Sequence, residues 1–148
     1  MRSILAIAIC LIAPLAHAAQ KTAIKLDYDA AWTYSLTVTA PSEEEFFTIS
    51  LLKDNQLSYD YWMDTDQAAE KTVSLTPEQV KTLTAKFADA YTAIAKSSDK
   101  KGGVIFALEK IEGQNSTTYK MVGTDASING LLAAAKSILG NEYPFKVN

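Results

Sequence analysis

Arginine, histidine and cysteine each occur once in the 148 residues, as Arg2, His17 and Cys10, and none recurs after residue 17. From there on the chain can hold no Ser-His-Asp triad, no Cys–His nucleophile and no thiolate or imidazole zinc site. It can form no disulfide and no arginine fork around a phosphate. Glycine is scarce, at 6 residues, and no glycine-rich phosphate loop is present. The apolar run Ile4–Leu15 has 12 residues, short of the ~20 a helix needs to cross a bilayer, and no longer one follows.

That run reads as the middle of a secretory signal. Met1-Arg2-Ser3 supplies positive charge before it, and Ala16-His17-Ala18 a small-x-small cleavage site after it. Ile9 precedes Cys10 and the apolar run continues beyond, which is not a lipoprotein pattern. The expectation is cleavage of residues 1–18 after Ala18, and a soluble periplasmic or secreted product with one domain over residues 19–148. That part has 13 lysines against 17 acids, a net charge of −4. Without disulfides it must hold together by packing. A domain of about 130 residues can bury roughly two-thirds of its unfolded surface.

From Ile24 to Val38 apolar residues alternate. Ile24, Leu26, Tyr28, Ala30, Trp32, Tyr34, Leu36 and Val38 share one parity, which predicts one half-buried strand or two broken near Asp29. Phe46–Leu52 and Leu57–Met63 form a hairpin. Phe47, Ile49 and Leu51 share a face with Leu57, Tyr59 and Tyr61 only if Leu51 opposes Leu57. That requires an odd loop, Lys53-Asp54-Asn55, with Asn55 in the left-handed region. Ser50 then faces Ser58, Thr48 faces Asp60, and Phe46 faces Trp62.

Thr76, Pro77 and Gln79 make an N-cap, a first-turn proline and a capping box, with Leu75 and Val80 as a hydrophobic staple. Val80, Leu83, Phe87, Tyr91 and Ile94 follow at helical spacing. A second hairpin, Val104–Glu112 and Thr117–Val122, is predicted to pair Glu112 with Thr117, Leu108 with Met121 and Glu109 with Lys120. A last helix from Ala126 to Leu139 turns Ile128, Leu131, Leu132, Ala135 and Ile138 inward. It ends at Gly140-Asn141, before a Tyr143-Pro144-Phe145 tail. The order ββ(β)-α-ββ-α defines a single α+β domain, an antiparallel sheet of about five strands with two helices packed on one face.

Charge is unevenly spread. Residues 26–70 hold ten acids and one lysine, Lys53, whereas residues 71–148 hold seven acids and ten lysines. Glu43, Glu44 and Glu45 lead into Phe46, while Asp60 and Asp64 flank Trp62 and Asp66 follows. Large aromatics ringed by charge are what an interface anchor looks like, and a field of one sign speeds encounter with its opposite. The expected partner-binding residues are therefore Glu43, Glu44, Glu45, Phe46, Asp60, Trp62, Asp64 and Asp66. The expected partner is a protein with a basic surface, and the chain a non-enzymatic inhibitor or immunity-type module. A negative field without arginine is wrong for nucleic acid.

Other chemistries lack a motif. Asp60, Asp64, Asp66 and Glu70 suggest calcium, but the loop glycine is missing and Leu75 stands where the twelfth-position Glu belongs. Ser97-Ser98-Asp99-Lys100 spells S-x-x-K, yet at a helix end and without S-D-N or K-T-G. No catalytic residue, metal or cofactor is assigned. Two alternatives stay open. One is a small apolar-ligand carrier with a pocket of Trp32, Tyr34, Tyr59, Tyr61 and Phe87. The other is a carboxylate hydrolase of envelope polymers.

Overall fold

Backbone pairing, more than hydrophobic content, decides how many strands this sheet has. A computed structural model describes residues 18–100, 103–141, 144, 145 and 147. The expected export segment with Cys10 and His17 lies outside these residues apart from Ala18, as does Tyr143 of the tail. The elements are β1 (Gln20–Lys25), β2 (Trp32–Thr39), β3 (Glu45–Leu52), β4 (Gln56–Met63), β5 (Asp66–Ser74), α1 (Pro77–Ala95), β6 (Ile105–Glu112), β7 (Asn115–Val122) and α2 (Ala126–Leu139). The strands form one antiparallel sheet in the order β1-β7-β6-β2-β3-β4-β5. The α+β class is as expected. The strand count is seven, not about five.

The two additional strands are the sheet's edges, and both are polar. β5 has no apolar residue larger than Val73 and none fully buried, so no alternation marks it; its ladder to β4 makes it a strand. β1 is exposed along its whole length. Residues 26–31 then carry the chain around the β6–β7 turn, with the Leu26 N–H donating to the Gln114 carbonyl at 2.8 Å. Leu26, Ala30 and Ile111 close a small second core there. The segment is thus two strands broken around Asp29, as the second of the two expected readings has it, but the single parity of Ile24–Val38 is corrected. Ile24 and Tyr28 are 53% and 51% exposed. A bulge between Trp32 and Tyr34 also sets those two on opposite faces, since Trp32 opposes Leu52 and Tyr34 opposes Leu51.

The β3–β4 hairpin has the expected register: Leu51 opposes Leu57, Ser50 opposes Ser58, Thr48 opposes Asp60 and Phe46 opposes Trp62. Asn55 is left-handed, at φ 62°. The second hairpin differs. Its turn is Gly113-Gln114, with Gly113 at φ 63°, so Glu112 opposes Asn115, Leu108 opposes Tyr119, and Glu109 opposes Thr118 instead of Lys120. A slip of two residues leaves each side chain on its expected face.

Helix α1 starts at the capping box: the Gln79 N–H donates to Thr76 Oγ1 at 3.2 Å, and the Thr76 N–H to Gln79 Oε1 at 2.9 Å. Asp125 caps α2 through the Ile128 N–H at 3.0 Å. Leu83, Phe87 and Ile94 of α1 and Ile128, Leu131 and Leu139 of α2 bury against Leu36, Phe47, Ile49, Leu57 and Tyr59 of the sheet. In α2 it is Leu139 that buries fully, while Leu132 and Ile138 are half-buried. Phe145 packs on Phe47 and Tyr59, with centroids 5.8 and 5.4 Å away, so the tail closes the helix-side core. Among the described residues no helix covers the other face of the sheet.

Candidate functional site: the open face of the sheet

The open face carries the residues of each strand that alternate with the core set. Its floor is a ladder of hydroxyls. Ser35 and Ser50 pair across β2 and β3 at 2.9 Å, and Thr37 and Thr48 pair at 3.0 Å. Ser58, Asp60 and Trp62 follow along β4. A trough of about 420 Å³ runs over this floor, with Trp32 and Leu52 toward one end and Trp62 toward the other.

The side chains around the trough are held by neutral donors. Phe46 and Trp62 stack with centroids 6.0 Å apart and ring planes 7° from parallel, and both are half-buried. The Gln67 amide donates to Asp60 Oδ1 at 2.8 Å and to Glu70 Oε2 at 3.2 Å. Trp32 Nε1 donates to Glu109 Oε2 at 2.8 Å, and the Ser116 hydroxyl donates to Glu109 Oε1 at 2.5 Å. Asp60, Glu70 and Glu109 therefore share one face, and among the described residues no lysine forms an ion pair with any of them.

The fold gathers most of the residues singled out in the sequence, but not all. Phe46, Asp60 and Trp62 lie on the open face. Glu43 and Glu44 are exposed in the β2–β3 turn, and Asp64 is exposed in the β4–β5 turn. The Asp64 N–H donates to the Glu44 carbonyl at 2.6 Å, which joins the two turns beside the aromatic pair. Asp66 opposes Met63 and so has the opposite parity to Trp62. Glu45 is buried on the helix side, where it accepts from the Tyr61 hydroxyl at 2.7 Å. That bond raises the Tyr61 phenol above its ordinary pKa of 10.0, with burial and the Glu45 charge adding to it. Sequence reasoning missed Trp32, Gln67 and Glu109, because Trp32 shares parity with core residues until the bulge is known.

The aromatic pocket considered for a small ligand does not form. Tyr34 stacks on Phe87 at 5.4 Å inside the core, Tyr59 is fully buried, and Trp32 lies across the sheet from them. A different cleft of about 630 Å³ opens between α2, the ends of β2 and β6 and the C-terminal segment, with Val38, Phe106, Leu132 and Phe145 in its walls. Ser97 of the S-x-x-K sequence donates its hydroxyl back to the Ala93 carbonyl at 2.8 Å. Among the described residues no three carboxylates gather as a metal ion would need, and no helix is long and apolar enough to cross a membrane.

Fold and site together define a two-layer α+β protein with one sheet face that no helix covers among the described residues. No protein family matches the chain, and no curated protein is significantly similar to it.

Proposed function

We propose that the chain is an exported, non-enzymatic protein-binding module that docks a basic partner on its open sheet face, most concretely an inhibitor or immunity-type protein. The observation that carries this reading is the stacked Phe46–Trp62 pair, half-exposed on a face that no helix covers among the described residues, with Glu43, Glu44, Asp60 and Asp64 around it. Such aromatics supply contact area that excludes water at the centre of an interface, while the surrounding acids steer a basic surface into place. The open-face carboxylates support the same reading, because their hydrogen-bond donors are neutral and leave the negative charge uncancelled.

The processed protein, immobilised and exposed to periplasmic extract at low salt, tests it beside Trp62→Ala. The expected result is one retained partner of high isoelectric point, released by salt, absent from the Trp62→Ala column, and inhibited in its own activity by the wild-type protein. Identical retention by both forms would eliminate the aromatic anchor and, with it, this function.

A further inference from the structure

We infer that the trough along β4 receives a lysine or arginine side chain from an extended segment of the partner, its cationic head set between Asp60 and Trp62. This rests on the protein-binding reading above and specifies its chemistry.

The floor of the trough is mostly satisfied already. Ser35 bonds Ser50 and Thr37 bonds Thr48, so these hydroxyls spend hydrogen bonds on each other. The unspent groups lie in one line. Ser58, Asp60 and Trp62 alternate along β4, on one face, about 7 Å apart. The Ser58 hydroxyl, the second Asp60 oxygen and the Trp62 indole N–H have no hydrogen-bond partner among the described residues, and Asp60 Oδ1 is fixed by Gln67. A ligand lying along β4 therefore meets a hydroxyl, an oriented carboxylate and an indole in turn. A basic side chain matches that order, since its apolar stem packs on an indole while its head reaches a carboxylate.

Among the described residues no lysine supplies such a group. Lys71, from the neighbouring strand, points to the helix side and donates to the Leu139 carbonyl at 2.8 Å. Lys120 lies on the open face but on β7, with β6, β2 and β3 between it and β4. From Ser58 to Trp62 the unspent groups of β4 span about 13 Å, room for roughly four residues of extended chain.

The test is titration of the isotope-labelled processed protein, followed by NMR, with short peptides carrying two arginines, two lysines or two citrullines. The arginine and lysine peptides should move the Trp62 indole and the Ser58 and Asp60 amide signals, and the neutral citrulline peptide should not. Asp60→Asn should weaken binding about fivefold, a charge-assisted contact's worth, while Asp89→Asn on α1 leaves it unchanged. Three results would overturn the inference: no movement with any peptide, equal weakening by both substitutions, or equal movement by the citrulline peptide or a neutral oligosaccharide. A natural partner lost by Trp62→Ala but indifferent to Asp60→Asn would overturn the inference and leave the protein-binding function standing.

Discussion

Glu45 sits at the end of an acidic run, yet its carboxylate belongs to the core side of the sheet. It lies two residues before Phe47, and both point toward the helices, so the register alone assigns it there. The alternation carries this signal, although Glu45 closes a run of three glutamates. Burial then obliges the carboxylate to find a donor, and the Tyr61 hydroxyl at 2.7 Å is one. The folded state holds the Tyr61 proton more tightly than the unfolded chain does, because the bond to Glu45, then burial, then the Glu45 charge raise the phenol pKa. The resulting stability is fully present below the unfolded value near 10.0 and is lost as pH rises through the folded one. In an ultraviolet titration Glu45→Gln should bring one late-ionising tyrosine back toward 10.0. Burial also raises Tyr91, whose late ionisation should persist in the variant. An unchanged titration would mean that the Glu45 bond does not set the Tyr61 phenol.

At the scale of elements, what was legible is what is local. The capping box of α1, the odd loop of the β3–β4 hairpin and the glycine end of α2 are each fixed within a few residues, and each lies where the sequence placed it. What was illegible depends on distant partners. β5 is a strand because β4 offers it a ladder, and the bulge at Trp32 shows only in the pairing of β2 with β3. Charges also suit β1 and β5 to their edge positions: Lys21 and Lys25 on one, Asp66 and Glu70 on the other, discourage pairing with a further chain. The second hairpin falls between these cases. An apolar and an ionic pair favoured one register, and the preference of glycine for positive φ in a tight turn decided another. Gly113→Ala should therefore cost about 1 kcal/mol in urea unfolding, all of it conformational, because a Cβ there meets nothing within 4 Å. A neutral substitution would show that the turn does not need the left-handed residue.

For the whole molecule, the two faces of one sheet divide the work. The helix side holds the fully buried aromatics Phe47, Tyr59 and Phe87, and the open side holds the half-buried Trp32, Phe46 and Trp62. Both sets stack, so ring contacts alone do not separate a core from an interface. The energetic consequences of truncation do. Phe87 is 0% exposed and stacks on Tyr34 between α1 and β2, so Phe87→Ala leaves a cavity and should cost about 3–5 kcal/mol. A domain of this size has only about 5–15 kcal/mol of net stability, so that loss brings it near unfolding. Trp62 gives up one cross-strand stacking contact and little enclosed volume, and Trp62→Ala should cost about 1 kcal/mol. Denaturant midpoints of the two variants measure the contrast directly. If Trp62→Ala proved as destabilising as Phe87→Ala, the pair would be core packing on a face that something must cover, and lost binding in that variant would report unfolding. A small loss of stability with complete loss of partner would instead mean that the indole is kept at the surface for contact.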